Sequence, residues 1–340
     1  MKRLRIPVIP ALLMGAAALW ADPGSTPVVL TMTNADSNQL LVYDTAGRPV
    51  QTVSTQGKGG ASGNAGGIAT QGSLAAAVNF GSKTVALFQR TGDGFHLKEL
   101  IPTASNPLSV AFGHGHLYIL GTTKVESHRM FGETVASNPD GVVTLLVADG
   151  SAAQVGVLPN QVIISEKSNV IETVNLLGDG AVGGVPALVQ NIPANVNAPF
   201  GLITRGDNAY VTIAHADEIS LVRGGKVLTT TSSGTQHAPC WVALVGPFLY
   251  SSNSPSQSIS RFAVYGQKIV QDAAVAASLN GAPTDITSGN GLLAVIDGGT
   301  AASHLTIFAV DEDGNLTLKA SATINAAING AAMSGGEEQD

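Results

Sequence analysis

One fixed interval recurs four times along the chain and limits the folds open to it. Pro107, Pro199, Pro239 and Pro283 are each followed three residues later by an aliphatic side chain: Val110, Leu202, Val242 and Ile286. Fourteen residues after each proline comes a position that ends an apolar run: Gly121, Ile213, Asn253 and Asp297. Tyr118, Tyr210 and Tyr250 stand three residues before that position, so three of the five tyrosines share one coordinate. Extending the register places Asn34, Asn79 and Ser165 at further turn positions, which makes seven units with a period of about 44 residues.

Each unit holds short β-rich runs such as HLYIL, FLYSSN, SISRF and HLTIFAV. Turn signals separate them, including Thr91-Gly92-Asp93-Gly94 and Asp313-Gly314-Asn315. Four-stranded antiparallel modules at this period pack radially, because each twisted sheet must bury both faces. The reading is all-β: a seven-bladed β-propeller of four-stranded antiparallel blades. A pair of β-sandwiches offers no reason for a constant fourteen-residue interval. Among 340 residues, 44% hydrophobic, 12% charged and with 40 glycines, a helical bundle, a coiled coil and a disordered chain are excluded.

The first unit is incomplete, since the place of its inner strand falls near position 20 in the N-terminal leader. The apolar stretch at about 324–333 is expected to replace it, closing the ring by pairing into blade one and removing an open sheet edge. In blade three, residues 123–140 (TKVESHRMFGETVASNPD) read as an insertion. Such a segment is either a blade extension or a lid or partner-binding arm.

Residues 1–21 read as a signal peptide: basic Lys2, Arg3 and Arg5, an apolar run, and small residues leading to Ala21. The run is shorter than the roughly 20 residues a membrane span needs. The remaining 22–340 is expected to be a single propeller domain, periplasmic or secreted, with no membrane span in the mature chain. Cleavage would remove three cations and no acid, making the mature chain more acidic than the full-length net charge of -7. No stretch gathers the Lys and Arg that tracking a phosphate backbone requires, so nucleic acid is not an expected partner. Cys240 is the single cysteine, which excludes an intrachain disulfide and a Cys-x-x-Cys-His haem site, and no cofactor is expected.

Inner-strand starts and turn positions should share one face of the disc, and the candidate site residues lie there. Glu166 and Lys167 are adjacent charges at such a turn, either a solvated pair or an acid/base pair. His215 with Asp217 reads as a surface loop or a proton-sharing ligand pair. Trp241 with Cys240 begins an inner strand, filling the channel or forming an aromatic wall for a sugar or planar ligand. Asp285 and Asp297 share a blade and either make strand-end hydrogen bonds or reach a cation, and His237 reads as structural. The glycine-rich 57–67 precedes no helix and reads as a loop rather than a phosphate cradle. Asp311-Glu312-Asp313-Gly314-Asn315 is expected to be a hairpin turn, since it lacks the later bidentate Glu of a calcium loop. His114 and His116 fall between strands one and two, away from the pocket, and no metal site is expected.

The units AYVTIAHADEISLV, APCWVALVGPFLYSSNSPSQSISRF and VIISEKSNVIETVNLL resemble the lactonase-like seven-bladed propellers. That group is related to 6-phosphogluconolactonase and the carboxymuconate lactonising enzyme, and the units are also similar to Tyr-Val-Thr-Asn repeat propellers. The resemblance covers roughly residues 28–320 and implies the blades more strongly than the chemistry. Its catalytic members carry Pro-Arg-His at an inner-strand start, Asn-Glu at the partner turn and Asn-Arg-Gly-His at the next blade's turn. Here Pro199 keeps the proline, but Phe200 and Gly201 stand in place of Arg and His. Ile213 and Ala214 replace Asn-Glu, with His215 one residue away. Asn253 is kept, while Ser254 and Ser256 replace Arg and His.

Two functional readings follow. The first is an exported binding or scaffolding propeller for a small molecule, a glycan or a protein on one disc face, through Glu166, Phe200, His215, Trp241, Ser254 and Asp285. The alternative is a lactone or cyclic-ester hydrolase in which Glu166, Lys167 and His215 replace the missing groups.

Overall fold

The computed structural model describes residues 26–193, 198–298 and 302–335, so the signal-peptide reading of 1–21 lies outside the described residues. Seven antiparallel sheets form the blades. Their inner strands are Asn329–Ser334, Ile68–Gln71, Pro107–Gly113, Ala152–Leu158, Pro199–Arg205, Pro239–Val245 and Ala282–Gly289, from blade one to blade seven. No helix among the described residues is long and apolar enough to cross a membrane.

The fourteen-residue interval has a local cause. Pro107 faces Gly121, Pro199 faces Ile213, Pro239 faces Asn253 and Pro283 faces Asp297 across the first hairpin of four blades. In each pair the ladder slips directly after the proline, as a β-bulge does. Proline lacks an N–H and is tolerated at the start of an edge strand, which is the place an inner strand holds within its own sheet. Blade four has Ala152 facing Glu166, so its turn coordinate is Glu166, one residue beyond Ser165.

Closure follows the C-terminal pairing. Asn329–Ser334 runs antiparallel to Val28–Met32, from Val28 opposite Ser334 to Met32 opposite Asn329. A bulge falls at Gly330, which has φ 76°, and a Cβ there would lie 3.0 Å from Ile68 Cγ1. Only glycine takes that backbone without strain.

Segment 123–140 supplies blade elements. Lys124–Phe131 is the third strand of blade three, and Thr134–Val135 pairs with its far end. Gly141–Thr144 pairs with its near end, so two short strands share the outer place of this blade. His116 Nε2 lies 2.8 Å from Asp140 Oδ2, Ser127 Oγ donates to Asp140 Oδ1 at 2.7 Å, and Arg129 Nε is 3.3 Å from the same carboxylate.

The core is distributed between neighbouring blades. One cluster joins Tyr118 and Leu120 of blade three to Val155, Val162 and Ile164 of blade four. Another joins Tyr250 and Ile259 of blade six to Ile286 and Val295 of blade seven. The Tyr118 hydroxyl donates to Gly180 O and that of Tyr250 to Gly314 O, both at 2.7 Å, each reaching an outer turn of the next blade. Burial of such a ring contributes about 2–3 kcal/mol, and the hydrogen bond removes the penalty of a dry hydroxyl.

Candidate functional site

The proline-side mouth of the channel is closed by the glycine-rich segment. Asn34 ties it to blade one, accepting from Gly60 N at 2.7 Å and Ala61 N at 3.0 Å, and donating to Ala61 O at 2.6 Å. Asn64 Nδ2 donates to Leu108 O of blade three at 2.7 Å, and Ala65 N to Ala153 O of blade four at 3.2 Å. Lys167 Nζ donates to Gly63 O, and the Trp241 indole of blade six donates to Asn64 O at 3.3 Å. A loop held by four blades is a plug across the face on which the candidate site residues were expected.

Phe200 and Trp241 come together beneath it, edge to face, with centroids 5.2 Å apart and planes at 87°. They belong to a small apolar cluster with Ala65, Ala153, Ala198 and Cys240. Burial pushes the Cys240 thiol up to about 12, which leaves it protonated and unreactive at neutral pH.

Gly201, in the place of the resembling family's histidine, sits where two inner strands nearly touch. A Cβ built there would lie 2.3 Å from Cys240 O and 2.8 Å from Trp241 Cα. Thr212 Oγ1 braces this contact, accepting from Gly201 N at 3.0 Å and reaching Cys240 O at 3.1 Å. No side chain fits at this position without moving backbone.

Glu166 and Lys167 are neighbours in sequence whose side chains serve different partners. Glu166 is fully buried and accepts from Ser151 Oγ at 2.9 Å. Burial, with the Glu172 carboxylate beside it, raises its pKa well above the usual carboxylate range. Glu172 is itself held by Leu146 N at 2.9 Å and Val147 N at 2.7 Å. Lys167 goes to the plug, and its pKa is lowered by burial. His215 lies exposed on the short 3-10 turn Ala214–Ala216, and no hydrogen bond or ion pair joins it to Glu166 or Lys167.

Asp217 pairs with His237 rather than with His215: Oδ2 is 2.9 Å from His237 Nδ1, and Oδ1 accepts from Ala238 N at 2.7 Å. Ser254 is half-buried, and its N–H donates to Ala238 O at 3.2 Å, while Ser256 Oγ accepts from His237 N at 2.9 Å. Asp285 and Asp297 have separate partners, since Asp297 Oδ1 lies 2.7 Å from His304 Nδ1. His114 Nε2 lies 3.1 Å from Leu158 O. Among the described residues, no group of three or more His, Cys, Asp or Glu is placed to hold a metal ion.

Behind the plug, the channel holds a cavity of about 280 Å³. Its lining runs from Gly66, Trp241 and Asp285 near the proline end to Val157, Thr204 and Ser288 near the opposite hairpins. Asp285 Oδ1 accepts from Ile286 N at 2.8 Å and Oδ2 from Ala331 N at 3.0 Å, with Gly66 N a third donor. Burial overcomes these three donors and lifts its pKa to about 7. Sequence reasoning singled out Asp285 but missed the plug and the cavity. A signal existed: blade one joins blade two through the long run from Ser54 to Ile68, whereas Pro102 leads almost directly to Pro107.

The sequence matches no protein-family model and none of the curated proteins. Solved structures do match. A protein of unknown function from Desulfotomaculum acetoxidans superposes with a TM-score of 0.69 at 12% identity, covering 92% of this chain and 100% of its own. The periplasmic gluconolactonase of Pseudomonas aeruginosa gives 0.67 at 14%, covering 92% and 99%. A proposed 6-phosphogluconolactonase from Bacteroides fragilis gives 0.64 at 14%, covering 91% and 98%. At such identities the likeness is one of fold, and the fold is a seven-bladed β-propeller.

Proposed function

We propose that this chain is an exported binding propeller, holding a small molecule, a glycan or a protein partner on one disc face, and that it does not hydrolyse lactones. Gly201 carries the reading: the family's histidine is absent, and no replacement side chain fits where Cys240 O approaches so closely. The plug supports it as well, since a substrate on the proline side would meet the loop before the channel. Export rests on the leader at 1–21.

One feature favours the alternative, a lactone or cyclic-ester hydrolase: a carboxyl raised as that of Glu166 is raised would suit a general acid. Its burial and its distance in bonding from His215 favour a structural use. The test offers the purified protein glucono-δ-lactone, 6-phosphogluconolactone and γ-butyrolactone and follows acid release by pH-stat. The expected result is no turnover above that of the Glu166→Gln variant or a heat-denatured sample. Turnover that disappears in Glu166→Gln overturns the binding reading.

A further inference from the structure

The channel cavity contains an acid that no side-chain cation balances. Among the described residues, Asp285 is the one charged residue in its lining, and no Lys, Arg or His borders it. Three backbone N–H groups hold the carboxylate in place, but they carry no net charge. Two carboxylate oxygens offer about four acceptor positions, so one is left for a further donor. Much of the remaining wall is apolar, including Ile68, Val110, Leu202 and Val242. Trp241 adds an aromatic surface at the proline end, of the kind that attracts organic cations. A volume of about 280 Å³ falls just under the roughly 300 Å³ at which drug-sized pockets begin, which excludes an oligosaccharide or a peptide segment.

Resting on the binding reading above, we propose that this cavity takes a small organic ammonium ion with an apolar body, entering from the hairpin face and placing its nitrogen on Asp285. The body packs on Ile68, Leu202 and Trp241. Once ionised, the Asp285 carboxylate disfavours carboxylates and phosphates, so the pocket discriminates against anionic lactones.

Three probes of nearly equal size separate charge from shape: benzylamine, benzyl alcohol and benzoate, titrated calorimetrically into the full chain at pH 8, where the Asp285 carboxyl is ionised. The expected result is saturable binding of benzylamine with one site per chain, at least tenfold weaker binding of benzyl alcohol, and none of benzoate. Asp285→Asn should weaken benzylamine at least tenfold. Because Asp285 also holds the closing strand, Thr204→Phe provides a second variant that fills the hairpin end without touching the seam, and it too should remove binding. No saturable benzylamine binding, equal binding of all three probes, or binding that survives Thr204→Phe overturns the proposal. Lactone turnover in the assay above bears on the binding reading, whereas a lost charge preference without turnover overturns the cation assignment alone.

Discussion

At the scale of single residues, Asp285 sets a pH dependence whose sign can be worked out. Its pKa is raised from 3.8 to about 7, so between those values the folded chain keeps a proton that the unfolded chain releases. Stability is therefore full below about pH 4, falls as pH rises, and levels off above about pH 7. The loss is on the order of 4 kcal/mol if nothing else compensates. Glu166, raised as well, adds a slope of the same sign. Urea midpoints at pH 5 and pH 8 check this: the native protein should be less stable at pH 8, and Asp285→Asn should show a smaller difference. An unchanged difference in that variant would place the slope elsewhere.

At the scale of elements, the repeat tyrosines act as bolts between blades, and they should not contribute equally. Tyr118→Phe and Tyr250→Phe leave the carbonyls of Gly180 and Gly314 without their donor, at a cost of about 1–2 kcal/mol each. Tyr210 is equally buried, but its hydroxyl has no protein partner among the described residues, so Tyr210→Phe should cost under about 0.5 kcal/mol. Denaturant melts of the three variants read the contrast directly. The tyrosine coordinate was legible in the sequence because it follows from strand alternation within one hairpin. The hydrogen bonds were not, because Gly180 lies 62 residues from Tyr118 and Gly314 lies 64 from Tyr250. Blade four shows the limit of register without a proline: Ser165 was placed at the turn, and Ala152 instead faces Glu166. That shift puts the glutamate at the turn coordinate, where it is buried under Ser151.

At the scale of the whole molecule, the ring depends on its last strand. Removing residues 324–340 exposes the edge of Val28–Met32 and takes Met333, Ala331 and Ile328 from the cluster that joins blades one and seven. It also strips the Ala331 N–H from Asp285. The truncated chain should fail to accumulate as soluble folded protein, and a soluble product with the native melting temperature would contradict the closure. The number of blades, the pairing partners of four prolines and the closing segment could all be read from residue order, because each rests on hairpin-range spacing or on an unfilled place in a periodic series. The state of the channel could not. Its plug is made by contacts such as Asn64 with Trp241, 177 residues apart, and Lys167 with Gly63, 104 apart. Its Asp285 carboxyl becomes conspicuous only once seven inner strands have removed water from around it. Spacing along a chain reports which strands pair, while burial and cross-ring contact exist only after the ring has closed.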